Sequence, residues 1–263
     1  MQKYKSTIVV LFFCFLLCSC SVNITEDFNY LKASSWVSVT GSIENCDQME
    51  GGMVINGHIY YSLINHKKDD TNKESYIFEY DLDGNFIRHS KELHVGHSND
   101  FTYVPEMDAI AIAHADESKL MTFVSIDNLE VIEVRPINDL PRFRAIEYIG
   151  DNNYVFSNGN TCYVAHYDEK FNITNTFEYE FDYDSGITQG LCSDGKYVFD
   201  LRSKNNIGNK NVIVKHDIET SEFIKEIEIK DISGEAEWIS IYNGKFYIGT
   251  DSPYRIYTLK AYK

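Results

Sequence analysis

Eleven side chains stand at or just before the starts of short apolar runs: Gln48, Glu50, His97, Asn99, Asp100, Arg142, Arg144, Gln189, Glu235, Glu237 and Trp238. Gathered in one place, they would carry chemistry. Carboxyls set close together push one another's pKa up, and an arginine holds its neighbours ionised, which is how a general acid or base is made. The same groups also suit binding without reaction. Amides, carboxylates and an arginine fork give directional hydrogen bonds to a sugar, an amino acid or a peptide terminus, and Trp238 or Phe101 offers an apolar face. A third reading is structural: polar residues at strand starts satisfy backbone groups and channel waters.

Residues this far apart in sequence meet only if a repeated element aligns them. A polar cluster, a β-rich run, a Gly or Asn turn and a second β-rich run recur at Gln48–Ser62, His97–Ala113, Arg142–Asn158, Thr188–Leu201 and Gly234–Thr250. Taking Met53, Phe101, Ile146, Leu191 and Trp238 as equivalent gives intervals of 48, 45, 45 and 47 residues. Four-stranded propeller blades repeat every ~40–45 residues. The expected fold is therefore all-β, a five-bladed β-propeller in which the innermost strands start around a central channel. The last copy, from Glu237 to Lys263, has room for only three strands. Trp36–Thr40 alternates correctly and would supply the fourth, closing the ring and removing the open edges.

A second marker tracks the first. Asp81, Asp127, Asp168 and Asp217 each follow a strand and precede a turn, where a short carboxylate binds backbone N–H groups a few residues on. A calcium loop at Asp81–Asn85 has its glycine in the fourth place, not the sixth, and lacks the distal glutamate. His94, His97 and His114 do not have the spacing of a zinc site. The chain has no Gly-x-Ser-x-Gly elbow, no P-loop and no dinucleotide fingerprint. No metal and no cofactor are expected.

Lys3 and Lys5 precede an apolar run, Ile8–Leu17, too short to span a bilayer. Leu17-Cys18-Ser19-Cys20 at its end resembles a bacterial lipobox. The resemblance implies a leader over 1–19, lipid on Cys20, a tether over 20–35 and a propeller domain over 36–263. It also implies attachment to an envelope membrane outside the cytoplasm, and Ser21 is compatible with the outer one. From Cys20 onward the chain carries 22 basic against 40 acidic side chains, a formal charge of −18. Nucleic acid is not an expected partner, because its affinity comes largely from Lys and Arg neutralising phosphates. Membrane attachment would fall to the lipid alone. Three cysteines remain beyond Cys20, namely Cys46, Cys162 and Cys192; an odd number closes no disulfide framework.

Two further stretches resemble known proteins. Thr188-Gln189-Gly190-Leu191, followed by Asp194-Gly195 and Tyr197, is similar to a blade start in the glutamine cyclotransferase family, five-bladed propellers that cyclise N-terminal glutamine. That resemblance implies a pocket role for Gln189. Where the family continues Glu-Ser-Thr-Gly, this chain reads Phe199-Asp200-Leu201-Arg202. Gly96-His97-Ser98-Asn99-Asp100 and Gly234-Glu235-Ala236-Glu237 resemble blade openings in uncharacterised secreted propeller proteins. The expected activity is binding of a small polar ligand, a peptide or a glycan at the channel mouth. The alternatives are a cyclotransferase-like or hydrolytic enzyme using Glu50, Glu235 or Glu237, and a scaffold for protein partners.

Overall fold

A computed structural model of the chain describes residues 27–65, 67, 74–114, 119–158, 160–178, 186–204 and 210–263. The leader and Cys20 lie outside them. The described chain is all-β apart from one 3-10 turn, Pro105–Met107. Strand β1 (Tyr30–Ser38) comes first. An antiparallel sheet follows, formed by β2 (Gln48–Ile55), β3 (His58–Ile64), β4 (Ser75–Asp81) and β5 (Phe86–His89). The next holds β6 (Asp100–Val104), β7 (Ala109–Ala113), β8 (Leu120–Ser125) and β9 (Val131–Pro136). A third holds β10 (Ala145–Gly150), β11 (Asn153–Asn158), β12 (Thr161–Asp168) and β13 (Lys170–Glu178).

The remaining strands are β14 (Ile187–Ser193), β15 (Tyr197–Lys204), β16 (Lys210–Asp217), β17 (Phe223–Lys230), β18 (Glu235–Tyr242), β19 (Lys245–Asp251) and β20 (Arg255–Tyr262). Together with β1 they form one eight-stranded sheet, in the order β14-β15-β16-β17-β1-β20-β19-β18. Strand β1 is the joint. It runs antiparallel to β20, with Trp36 opposite Tyr257 and Val37 opposite Ile256, and parallel to β17 through Tyr30–Lys32. The N-terminal strand thus pairs with the C-terminal one. Its pairing starts at Tyr30, inside the stretch read from the sequence as tether, because Leu31 is drawn into the core at 0% exposure.

The hairpins follow from local chemistry. Asn56-Gly57 and Asn243-Gly244 both adopt positive φ, the geometry of two-residue turns that matches strand twist. Asp81 Oδ1 accepts the N–H groups of Asp83 and Asn85 at 3.0 and 2.8 Å. Asp217 Oδ1 does the same for Glu219 and Thr220 at 3.0 Å each. In the β8–β9 hairpin the neighbouring Asn128 takes this part, accepting Glu130 N–H at 3.0 Å. Asp168 sits opposite Lys170 at the turn between β12 and β13.

The core lies between the four-stranded units, not within any one of them. Successive residues on a strand enter different interfaces: Met53 packs with Phe101 and Ile110, whereas Val54 packs with Trp238 and Ile256. Leu191 and Cys192, and again Trp238 and Ile239, divide in the same way. Inner strands are therefore apolar on both faces, as strands buried on two sides must be. The first strands of neighbouring units lie side by side, β2 next to β6 and β18, and β14 next to β10 and β18.

Candidate functional site

Neighbouring inner strands do not pair in a ladder, which leaves inward-facing backbone N–H groups in need of buried acceptors. Side chains supply them. Asp100, 0% exposed, accepts Phe101 N–H on Oδ1 at 3.0 Å, and Ile146 and Leu191 N–H on Oδ2 at 3.0 and 2.9 Å. One carboxyl thus ties β6, β10 and β14 together. Farther along the strands, Thr102 Oγ1 accepts Tyr148 N–H at 2.8 Å, Glu147 Oε1 accepts Ser193 N–H at 3.0 Å, and Ser240 Oγ accepts Val54 N–H at 3.1 Å. Asp100 is therefore part of the waist of the molecule, and burial pushes its carboxyl well above the usual range.

At the strand-start end, residues from distant segments meet. Glu50, 3% exposed, lies 3.0 Å from His97 Nε2 through Oε1. Gln189 Nε2 donates to Glu235 Oε1 at 2.8 Å. Glu237, 5% exposed, is pushed up to about 10 by burial and by the charges of Glu50, Glu235 and Asp251. Asp251 is raised by burial, although its Oδ1 accepts Met49 N–H at 3.3 Å. At neutral pH this mouth presents the Glu237 O–H as a donor beside carboxylate acceptors, an amide and an imidazole. Asp251 was not among the residues read from the sequence. The register of the β18–β19 hairpin carries the signal, since folding about Asn243-Gly244 sets Glu235 opposite Asp251.

The other sequence candidates have surroundings of their own. Gln48 is half-buried at the start of β2, and Asn99 is buried with its backbone N–H on Ala113 O at 3.0 Å. Arg142 is exposed and lines a small side pocket with His114 and Lys119. Arg144 donates its backbone N–H to Ser157 O at 2.8 Å, and its guanidinium makes no ion pair among the described residues. Trp238 offers no ligand face. It is 0% exposed, slotted between two glycines: a Cβ would lie 2.7 Å from the indole at Gly52 and 2.0 Å from it at Gly249. The histidines diverge as well, His114 Nε2 bonding Thr122 Oγ1 at 2.8 Å and His94 lying 3.8 Å from Glu92.

Two features went unread in the sequence. Asp200 and Arg202, both 0% exposed, form a buried pair at 2.8 Å, with Ser157 and Thr188 also hydrogen-bonded to Asp200 Oδ2. They occupy the stretch where the cyclotransferase family has its Glu-Ser-Thr-Gly run, and they face protein. The second is a cavity of about 150 Å³ at the opposite end of the axis, lined from β2, β6, β10, β14 and β18. Its floor is Met53, Phe101, Leu191 and Ile239, none more than 4% exposed, which separates it from the acidic mouth. Glu147 is half-buried in its wall and pushed up to about 8 by burial, against hydrogen bonds from Thr102 and Ser193 that favour ionisation.

No family model and no curated protein matches the chain. Solved structures do. The tail fibre of Staphylococcus aureus phage P68 is similar at TM-score 0.60 and 16% identity, over 88% of this chain and 52% of that one. The chain thus spans about half the length of that fibre protein. A chain of the mitotic checkpoint complex is similar at TM-score 0.51 and 8% identity, over 100% and 97% of the two chains. A chain of the nidogen/laminin complex is similar at TM-score 0.47 and 11% identity, over 78% and 73%. The likeness to the first two is one of fold, and the repeated four-stranded antiparallel sheets give this chain a β-rich, propeller-like structure.

Proposed function

We propose that the chain is a five-bladed β-propeller, closed by its N-terminal strand, that binds a small polar ligand, a peptide terminus or a glycan end at the acidic mouth. The five-blade reading is supported by the division of the eight-stranded sheet into β14–β17 and β18–β20 plus β1, and by apolar clusters that each bridge two neighbouring four-stranded units. Lipid on Cys20 would hold the domain to an envelope membrane outside the cytoplasm. The acidic body leaves nucleic acid an unfit partner.

One observation carries the binding reading: Glu50, His97, Gln189, Glu235, Glu237 and Asp251 converge although they are separated by up to about 200 residues of chain. Such a set suits a ligand rich in O–H or N–H donors. A thermal-shift screen of the full chain against sugars, amino acids and short peptides tests it, since a bound ligand raises stability by mass action. At least one class should raise Tm in the intact protein and fail to do so in Glu237→Gln. A flat response across the panel rejects the reading. Glu237, held protonated beside Glu50 and Glu235, also supports acid catalysis as a second reading. In that case Glu237→Gln would abolish turnover while leaving affinity intact.

A further inference from the structure

The cavity at the far end of the axis has a chemistry of its own. Its floor is apolar, and its rim includes Ile55, Tyr103, Tyr148 and Ile241, all partly exposed. Among the described residues the one carboxyl in its wall is Glu147. Thr102 Oγ1 donates to Glu147 Oε2 at 2.9 Å, and Ser193 N–H donates to Oε1 at 3.0 Å. Each oxygen therefore keeps a further lone pair. Among the described residues no lysine, arginine or histidine lines the cavity, and none of their cations contributes to the environment of Glu147. Its buried neighbours supply no positive charge: Asp100 is tied to the strand backbones, and the Cys192 thiol is pushed up chiefly by burial and stays neutral.

Acidic groups also stand outside the rim. Tyr103 donates its hydroxyl to Asp108 at 2.8 Å, and Glu106 lies close enough to Tyr148 to raise its phenol. Acidic groups around an opening concentrate cations there. A short shaft with an apolar floor, one carboxyl and several hydroxyls in its wall and acidic groups at the lip matches a ligand with an apolar stem and a charged tip.

We propose that this cavity is a second binding site, which takes a primary alkylammonium group with its ammonium on Glu147 and its methylene stem against the apolar side chains of the cavity. An ammonium supplies several N–H donors to the open lone pairs of Glu147, and the stem displaces water from apolar walls. Two sources present this group, a small free amine and a lysyl side chain.

Calorimetric titration of the full chain with n-butylammonium, Nα-acetyl-lysinamide and n-butanol tests the site. The expected result is binding of butylammonium, of the lysyl probe, or of both, with butanol at least about tenfold weaker, the size of one charged hydrogen bond. Tighter binding of butylammonium assigns the site to free amines; tighter binding of the lysyl probe assigns it to a presented side chain. Glu147→Gln should weaken the bound probe at least about tenfold. The comparison with butanol uses the unaltered protein and stands even if that variant folds poorly. The acidic mouth is a rival place for a cation, and the variants separate the two. Binding lost in Glu237→Gln but kept in Glu147→Gln overturns the proposal, as does butanol binding as tightly as butylammonium or no binding by either amine.

Discussion

The two ends of the axis use one functional group in opposite settings. At the strand-start end Glu50, Glu235, Glu237 and Asp251 crowd together, with His97 and Gln189 as their hydrogen-bonding neighbours. At the far end Glu147 is the one carboxyl among the described lining residues, above an apolar floor and hydrogen-bonded to Thr102 and Ser193. Both Glu237 and Glu147 hold protons well above the ordinary carboxyl range, chiefly through burial, and only Glu237 is pushed further by like charges. The difference teaches what each end lacks. The crowded end already contains donors and acceptors, with Glu237 as the acid, whereas the solitary carboxyl has no cation beside it among the described residues and answers its burial by keeping its proton.

The largest effect is expected at the waist between them. Asp100→Ala removes the acceptor for three buried backbone N–H groups and should cost roughly 3–6 kcal/mol, at about 1–3 kcal/mol for each orphaned donor after partial relaxation. Asp100→Asn keeps one acceptor oxygen and should cost about half of that. Urea unfolding measures both. A wild-type midpoint for Asp100→Ala would mean that the two ends are not held apart by this residue.

The next effect sharpens the comparison through pH. The folded chain holds protons on Glu147 and Glu237 at pH values where the unfolded chain, with an ordinary value of 4.5, has released them. The folded state therefore binds more protons, and stability falls as pH rises from about 4.5. The contribution of Glu147 is lost by about pH 8, and that of Glu237 continues to fall until about pH 10. Each Glu→Gln change should raise stability at pH 8 by ~1–3 kcal/mol, below the full linkage value because both sites admit some water. Only Glu237→Gln should flatten the remaining slope between pH 8 and pH 10. Denaturant unfolding across that range reads the difference, and equal slopes in the two variants would erase the distinction drawn above.

The smallest effect tests what the acidic mouth excludes. Arg144→Ala should change stability by less than about 0.5 kcal/mol and leave ligand affinity at the mouth unaltered, because its guanidinium pairs with none of the carboxylates among the described residues. A drop in affinity would bring an arginine into the mouth and make the two ends less unlike.

Much of the fold was legible in the chain. The recurring runs marked the inner strands, the Asn-Gly pairs marked the hairpins, and three strands after Glu237 called for a fourth from the N-terminus. The parallel pairing of Tyr30–Lys32 with β17 was not legible, because Leu31 alternates with nothing distinctive until a second sheet lies beside it. Of the site, Glu50, His97, Gln189, Glu235 and Glu237 were marked by their places before or at strand starts. Trp238 read as a ligand face because an aromatic at such a place is ambiguous; the glycines that swallow it are nearly 190 and about ten residues away. Glu147, in Ala145-Ile146-Glu147-Tyr148, carried no mark in the sequence, since alternation along one strand does not reveal a cavity lined by five strands.

By itself the sequence determined the repeat, the strand and turn pattern and the charge of the body, and it marked five of the six residues that meet at the acidic mouth, because those depend on local propensity and on spacing along the chain. Only the tertiary structure decided that Asp100 is a backbone acceptor, that Trp238 is core, and that Glu147 faces an apolar cavity. Those roles come from which strands lie beside one another across the axis, and burial there sets both the hydrogen-bond demand and the proton affinity of each carboxyl.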